Sequence, residues 1–362
     1  MIVYIEVDKV FGEVPFDCNI IEAAKCLGID IPHFCYHKKL SVVANCRMCL
    51  IQVEGSNKLV PACATKVVSN MKILTRSRPV LLAQRSVLEF LLINHPLDCP
   101  ICDQGGECEL QDISISYGSS KSRFLENKRI LPDVNLGKLV TSNMNRCIMC
   151  TRCVRFCTEI AGISDLGKIG RGVYSRITTF LQNTLYSNVS ANIIDLCPVG
   201  ALCSKPFRFS ARAWELKRLS TISPHDCVGS NMYAHVKDGK IYRMTPRDND
   251  LINETWISDR DRFGFEGIYH DTRLVSSLLK KNKIWEVINF QDSLKYVSNV
   301  IMDLKEKFGQ NEIVACISQN SSLEEIFLFY KMFRMFGLDN ITHIFYHLLN
   351  VLMFLIYVVS FH

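Results

Sequence analysis

The chain lacks the signals of several large protein classes. Its first residues, Met1 to Asp8, contain no basic segment followed by an apolar stretch and no leader rich in arginine and serine, so we expect neither a secretory signal peptide nor an import presequence. Arginine-rich tracts and interleaved aromatic and basic residues are absent, and the net charge of +6 therefore does not indicate nucleic-acid binding. A glycine-rich strand-to-helix turn of the dinucleotide type is also missing. We expect neither NAD nor FMN to bind to this chain.

Cysteine, by contrast, is abundant. The 362 residues include 17 cysteines, within a composition of 48% hydrophobic and 22% charged residues that suits globular domains. Cysteines two residues apart in a chain without a signal peptide indicate metal binding in a reducing compartment. Such a protein would be made where it works, in a bacterial cytoplasm or inside an organelle that encodes it. Twelve residues fall into three groups with the spacing of iron–sulfur ligands, which indicates one-electron transfer and no catalytic acid or base.

The first group has the spacing C-x10-C-x2-C-x13-C and consists of Cys35, Cys46, Cys49 and Cys63. Four thiolates in a loop after a strand–helix pattern suit a [2Fe–2S] cluster. Structural zinc also binds four cysteines, but usually as two close pairs, and only Cys46 and Cys49 form a close pair here. We therefore predict a [2Fe–2S] site and keep zinc as the alternative.

The second group consists of His95, Cys99, Cys102 and Cys108. Three thiolates leave one iron of a [4Fe–4S] cluster without a protein ligand, and we predict that His95 supplies it; the alternative is that His95 only ends a helix. A neutral imidazole in place of a thiolate makes the cluster less negative and raises its reduction potential. Gly105 and Gly106 are expected to adopt positive φ and to let backbone N–H groups approach the sulfur atoms.

The third group has the spacing C-x2-C-x2-C with a distant fourth cysteine, and consists of Cys147, Cys150, Cys153 and Cys197. Cys157 competes for the fourth position, because it completes a C-x2-C-x2-C-x3-C run. In two-cluster ferredoxins that fourth cysteine is followed by proline. Pro198 follows Cys197, whereas Thr158 follows Cys157, so we predict Cys197 as the ligand of a second [4Fe–4S] cluster and Cys157 as a buried thiol.

Other residues near these groups have open roles. Cys18 and Cys26 lie beside and inside a helical pattern, and we expect them to be small core residues. Arg146, Arg152 and Arg155 crowd the third group; either they stabilise a reduced cluster or they form a solvated face.

The beginning of the chain has the pattern of a β-grasp. Val3, Ile5 and Val7 alternate as in a strand, Gly12 is expected in the following turn, and residues 19–27 have helical spacing with a glycine after them. A strand–turn–strand–helix order followed by a cysteine loop is typical of plant-type ferredoxins. A further strand is expected between Cys49 and Glu54.

Later segments predict other elements. Pro79 begins an apolar helix that we expect to end near Asn94. Residues 96–210 are rich in loops, and Asp238-Gly239 between two apolar stretches predicts a hairpin. Helical stretches and a strand at 313–317 indicate the start of an α/β unit.

Six motifs in the first 270 residues resemble the large, 75 kDa-type iron–sulfur subunit of respiratory complex I, NADH:ubiquinone oxidoreductase. The motifs are Asn45–Cys49, His95–Cys108, Ser122–Glu126, Arg146–Phe156, Asn192–Ala201 and Trp256–Asp259.

This resemblance implies one [2Fe–2S] and two [4Fe–4S] clusters on the three groups above. It also implies a flavoprotein partner that binds FMN and oxidises NADH, downstream iron–sulfur subunits that lead to quinone, and association with a membrane through the complex. The expected location is the matrix side of the mitochondrial inner membrane, or the cytoplasmic side of a bacterial inner membrane. The chain would act as an enzyme only as a subunit of the complex.

The sequence also departs from the family. Ala44 stands where the family usually has glycine, and Cys157, Cys203 and Cys227 stand where cysteine is uncommon. The region from about residue 220 resembles the start of the molybdopterin-oxidoreductase fold, which in some relatives holds a further cluster with four cysteines. Cys227 is alone there, so we predict no fourth cluster. The α/β region is too short for a molybdopterin site.

We therefore predict an α+β, multidomain chain. The segments are a [2Fe–2S] ferredoxin-type β-grasp (1–78), a His/Cys3 [4Fe–4S] domain (79–118), a ferredoxin-like [4Fe–4S] domain (119–218), a molybdopterin-oxidoreductase-like β region without a cluster (219–275), a partial α/β region (276–340) and an apolar tail (341–362). Residues 344–361 reach the length of a membrane span, but polar residues interrupt them, which favours a packed or irregular end.

Two other functions remain open: the electron-input arm of an iron hydrogenase or NAD-linked formate dehydrogenase, and a non-redox zinc scaffold.

Overall fold

A computed structural model describes residues 2–180, 183–225, 227–318 and 321–344. The chain forms two units. The first contains the residues up to Ile222 together with Ser230–Gly264, and the second contains Ser223–Gly229 and the residues from Phe265 onward. The mixture of short sheets and helices in both units confirms the predicted α+β class.

The elements are numbered in chain order. The strands of the first unit are β1 (Ile2–Val7), β2 (Val10–Pro15), β3 (Leu50–Val53), β4 (Val60–Pro61), β5 (Met71–Leu74), β6 (Val140–Ser142), β7 (Leu166–Ile169), β8 (Arg176–Thr179), β9 (Leu202–Ser204), β10 (Lys217–Ile222), β11 (Asn231–Lys237) and β12 (Lys240–Pro246). Its helices are α1 (Ile20–Cys26), α2 (Arg78–Ile93), α3 (Glu109–Tyr117), α4 (Arg152–Arg155), α5 (Asn192–Leu196) and α6 (Asp259–Phe263). The second unit has β13 (Ser277–Lys281), β14 (Ile284–Ile288), β15 (Ala315–Ser318), β16 (Ile341–Ile344), α7 (Phe290–Phe308) and α8 (Leu323–Met335).

The N-terminal sheet has the order β2-β1-β5-β3-β4, with β1 and β5 parallel and the other pairs antiparallel. The predicted alternation is confirmed, because Val3, Ile5 and Val7 are all buried. The prediction for Gly12 was wrong. The turn lies at Asp8 and Lys9, both with positive φ, and Gly12 pairs with Ile5 inside β2.

The helix predicted over residues 19–27 is confirmed as α1. Asn19 caps it, its side chain accepts a hydrogen bond from the Glu22 N–H at 3.0 Å, and the Glu22 carboxylate accepts one from the Asn19 N–H at 3.4 Å. Gly28 follows the last turn with φ +75°, a conformation that favours glycine. The loop that contains Cys35, Cys46 and Cys49 follows this helix.

The predicted apolar helix is confirmed as α2, with Pro79 in its first turn and Asn94 as its C-cap. Val80 and Leu88 are fully buried, which fixes the helix against the rest of the unit. Because α2 ends at Ile93, His95 follows directly after its last turn.

The predicted hairpin is confirmed as β11 and β12, and Asp238 and Gly239 both have positive φ, as a tight hairpin turn requires. β10 extends this hairpin to a three-stranded antiparallel sheet. In the second unit, the strand predicted at 313–317 is found as β15. The β13–β14 hairpin was not predicted, because its turn residues, Asn282 and Lys283, are not a strong turn signal.

Of the predicted apolar tail, 341–362, the structure describes residues 341–344, which form β16; the stretch considered as a membrane span, 344–361, lies outside the described residues apart from its first residue. Among the residues that the structure describes, no helix is both long enough and apolar enough to span a membrane.

Candidate metal centres

The first cysteine group is gathered in the loop between α1 and β3 and just after β4. Cys35, Cys46, Cys49 and Cys63 are all buried. Their thiols lie close enough to change each other's pKa: Cys35 interacts with Cys46 and with Cys63, and Cys49 with Cys63. Hydrogen bonds from Cys46 and Cys63 lower the pKa of Cys35. The structure therefore brings all four sulfur atoms of this group together.

Backbone conformation in this loop directs N–H groups at sulfur. The Cys35 N–H donates to the Cys46 Sγ at 3.5 Å. Ala44 and Arg47 have positive φ, at 50° and 58°. Ala44 thus takes the left-handed conformation, in which glycine would be less strained.

The second group lines one cavity of about 260 Å³ at the ends of α2 and α3. His95 follows α2, Cys99 begins a 3-10 turn over Cys99–Ile101, and Cys108 is the N-cap of α3. A single water needs only about 10–15 Å³, so the cavity has room for a group of several atoms. Burial, with the charges of Lys128 and Arg146, lowers the pKa of His95 to about 4 and keeps its imidazole in the neutral, metal-binding form.

The two glycines of this loop act differently. Gly106 has φ +91°, as predicted, but Gly105 does not have positive φ. A Cβ on Gly105 would lie 3.2 Å from the carbonyl oxygens of Cys99 and Cys102. Gly105 is therefore required by close packing and Gly106 by backbone conformation.

The third group surrounds a small enclosed cavity between α4 and α5. Cys147, Cys150, Cys153 and Cys197 all line it, whereas Cys157 is buried outside it in a π-helical turn over Phe156–Ile160. Burial raises the pKa of Cys150 and of Cys197 to about 12. Backbone N–H groups near the Cys197 sulfur act against this shift; they belong to Val199, Ala201 and Leu202.

The donor sets fit iron–sulfur clusters by their chemistry. Each set offers three or four cysteines that are free of disulfides, and backbone N–H groups approach their sulfur atoms, as is common around such clusters. In the described part of the chain, no three His, Cys, Asp or Glu side chains form a group of the kind that binds one metal ion. The assignment of clusters to these sets stays a prediction.

The structure excludes one of the two roles considered for the arginines. Arg146, Arg152 and Arg155 are buried, so they do not form a solvated face. The Arg146 guanidinium contacts Asp98 at 3.0 Å and the Gly200 carbonyl at 3.4 Å, and lines the cavity of the second group. Positive charge close to a cluster favours its reduced state. The only sequence signal for their burial was their position beside or between the cysteines of the third group.

The expectation that Cys18 and Cys26 are core residues was wrong for Cys26, whereas Cys18 packs against the core of the N-terminal sheet. Cys26 is exposed and Cys18 is partly exposed. The core face of α1 is formed by Ile20, Ala23 and Ala24, and Cys26 lies outside it. Cys203, which the sequence left without a role, is buried near Cys197 and Cys102.

Four family models match successive parts of the chain. They are a 2Fe-2S iron-sulfur cluster binding domain at residues 3–78, the NADH-ubiquinone oxidoreductase-G iron-sulfur binding region at 84–123, the NADH-quinone oxidoreductase subunit 3 ferredoxin-like domain at 137–203, and the NADH-ubiquinone oxidoreductase NDSU1/NuoG-like 4Fe-4S domain at 216–266. The last region contains one cysteine, Cys227.

Curated relatives match almost the whole chain. The NADH-ubiquinone oxidoreductase 75 kDa subunit of Reclinomonas americana is 46% identical over 92% of this chain and 48% of its own length. The mitochondrial NADH dehydrogenase [ubiquinone] iron-sulfur protein 1 of Solanum tuberosum is 43% identical over 94% of this chain and 46% of its own length. A bacterial relative, an NADH-quinone oxidoreductase subunit of Rickettsia conorii, is 44% identical over 91% of this chain and 48% of its own length. The chain spans about half the length of these relatives.

A solved structure shares the fold. A chain in the crystal structure of an NAD+-reducing [NiFe]-hydrogenase in the H2-reduced state superposes with a TM-score of 0.51 at 27% sequence identity. The match covers 58% of the present chain and 90% of the hydrogenase chain.

Proposed function

This chain belongs to the family of large, 75 kDa-type iron–sulfur subunits of NADH–quinone oxidoreductases, and from this premise we propose that it relays electrons between partner proteins of such a complex. The observation that carries the proposal is the gathering of three separate His/Cys donor sets in one unit, two of them lining cavities. Iron–sulfur clusters bound at such sets supply one-electron transfer.

We assign a [2Fe–2S] cluster to the first set and a [4Fe–4S] cluster to each of the other two. The thiolates would hold iron, His95 would complete the second set, and no side chain would act as an acid or base. The neutral state of His95 supports its role as a ligand, because protonated imidazole has no lone pair for iron. We propose no cluster in region 216–266, because Cys227 is its only cysteine, and no NAD, FMN or molybdopterin on the chain.

The proposed electron donor is a flavoprotein subunit that binds FMN and oxidises NADH, and the proposed acceptors are iron–sulfur subunits that lead to quinone. The names of the relatives support this choice, since they are subunits of NADH–quinone oxidoreductases of mitochondria and bacteria. We propose attachment to a membrane through the complex, on the matrix side in mitochondria or on the cytoplasmic side in bacteria.

The test is anaerobic reconstitution of the 362-residue chain with iron and sulfide. We expect about ten irons per chain, two in a [2Fe–2S] cluster and four in each [4Fe–4S] cluster, with matching acid-labile sulfide and EPR signals on reduction. The reconstituted chain alone should not reduce dyes with NADH. Stoichiometric zinc without iron, in protein purified without added metal, would support the zinc scaffold instead, and a reconstituted chain without reducible signals would contradict the relay.

The superposition with the hydrogenase favours a second candidate, the electron-input arm of an NAD-linked hydrogenase. The two candidates differ in the partner and not in the clusters. Co-expression with the NADH-oxidising flavoprotein and quinone-side subunits, and separately with hydrogenase subunits, distinguishes them. Co-purification of the chain with the flavoprotein and quinone-side subunits, and not with the hydrogenase subunits, supports the relay to quinone.

A further inference from the structure

Arg152 occupies an unusual place among the three donor sets. It begins α4, between Cys150 and Cys153 of the third set, and its side chain is only 5% exposed. Burying a guanidinium is costly unless its N–H groups are paired and its charge is balanced. Its partners therefore show what the fold gains from placing it there.

Each partner of this guanidinium is the sequence neighbour of a candidate ligand from a different set. Nη2 donates to the carbonyl of Tyr36, the residue after Cys35, at 2.9 Å. Nη1 and Nη2 pair with the carboxylate of Glu109, the residue after Cys108, at 3.0 and 3.2 Å.

The third contact involves the third set. Nη1 also donates to the carbonyl of Leu196, the residue before Cys197, at 3.4 Å. The Arg152 side chain thus contacts, in each of the three sets, a residue that is adjacent in sequence to a candidate ligand.

The neighbouring arginines reach fewer sets. Arg155 donates to the carbonyls of Cys35 and Cys150, which belong to the first and third sets. Arg243 forms a two-fold pair with Glu107, the residue before Cys108, at 2.7 Å, and so lies next to the second set alone.

We propose that Arg152 is a positioning residue that connects all three cluster-binding loops, and that its charge acts on all three clusters. This inference rests on the proposed function, since it requires clusters at the three sets. The planar fork of arginine allows the contacts; a lysine has a single nitrogen and cannot span Tyr36, Glu109 and Leu196 together.

The experiment is an EPR-monitored redox titration of the reconstituted full chain, in which each cluster signal is followed separately. For Arg152→Lys we expect all three reduction equilibria to shift, each by about two- to tenfold in the ratio of reduced to oxidised cluster, the effect of losing about one hydrogen bond. Arg155→Lys should shift the first and third signals, and Arg243→Lys the second alone.

Glu109→Gln provides an independent measurement if Arg152→Lys fails to hold its clusters. It leaves the hydrogen bonds of Arg152 to Tyr36 and Leu196 in place and removes the charge that balances the guanidinium. We expect all three clusters to become easier to reduce, because a positive charge without its counter-ion favours the reduced state.

A purely local role for Arg152 predicts another pattern. A shift of the third signal alone in Arg152→Lys, or of the second alone in Glu109→Gln, would overturn the inference while leaving the proposed function intact. A wild-type chain that binds no iron would overturn the proposed function itself, and the two failures are therefore distinguishable.

Discussion

Two regions of the chain that match iron–sulfur domain families have different interiors. Region 137–203 contains six cysteines, four of which line one cavity, and three buried arginines between its short helices and strands. Region 216–266 matches a 4Fe-4S domain, yet the interior of its three-stranded sheet consists of Met232, Ala234, His235 and Met244, and its single cysteine, Cys227, is exposed.

Hydrogen bonds and side-chain packing hold the second region together. The Asn253 side chain accepts from the Asn231 N–H at 3.1 Å and donates to the carbonyls of Asn231, Arg247 and Trp256. At α6, the buried Arg262 pairs with Asp195. The comparison shows that a sheet and polar contacts build this region around a single cysteine, and we therefore expect the cofactor to depend on the cysteines and not on the framework.

The largest difference between the two regions is expected in iron content, when one cysteine of each region is replaced by serine. Cys150→Ser should remove the third cluster, because serine is a poor ligand for iron, and lower the iron content by about four atoms per chain. Cys227→Ser should leave iron content unchanged. Iron analysis and EPR of both variants check this, and loss of a cluster in Cys227→Ser would contradict the difference between the regions.

Asn253→Ala tests the framework of the second region. Loss of four hydrogen bonds from a partly buried side chain should lower the free energy of unfolding by about 2 kcal/mol. Chemical denaturation measures the change, with Asn311→Ala, at an exposed position, as the matched control. The iron content of Asn253→Ala should equal that of the wild type; a loss would mean that this framework supports the clusters.

His235 makes the stability of the second region depend on pH. Burial, with the charges of Arg243 and Arg218, lowers its pKa from 6.5 to about 3. Both folded and unfolded states hold it neutral above pH 6.5, but below that value the unfolded state binds the proton first, so stability is lost as the pH falls toward 3. Between about pH 7 and about pH 5 the loss should reach about 2 kcal/mol at most.

The measurement compares unfolding free energies of the wild type and His235→Gln across this range. The free energy of unfolding of the variant should fall less steeply with decreasing pH, because glutamine does not titrate. Equal slopes in the two proteins would exclude His235 as the source.

The smallest effects are expected from backbone conformation. Thr151, beside Cys150, has φ 60°, and its buried hydroxyl has no partner among the described residues. Thr151→Gly should raise the free energy of unfolding by about 1 kcal/mol, because a side chain costs about that much in the left-handed region. Glu254→Gly, at φ 51° in the second region, should gain less, since it also loses the pair with Lys39. Thermal unfolding ranks the two variants.

Much of the local structure followed from the sequence. Asn19 and Gly28 delimit α1, Asp238 and Gly239 form the predicted hairpin turn, and α2 begins beside Pro79. These features depend on residues a few positions apart, whose conformational preferences act before any tertiary contact forms. The errors arose where several local solutions were possible: a tight turn at Asp8 and Lys9 replaced the one expected at Gly12.

The candidate ligands were inferred from their covalent spacing, because iron–sulfur chemistry tolerates few alternatives, and their assignment stays a prediction. The residues that surround them could not be predicted from the sequence. The sequence left Arg152 open between a solvated face and a cluster site, and placed Cys26 in a core that it does not enter. Only the tertiary structure settled these positions, because burial of a long side chain depends on partners far along the chain: the contact of Arg152 with Tyr36 joins residues 116 positions apart. The order of residues thus determined which side chains are candidates for binding iron, and the folded packing determined which charges surround them.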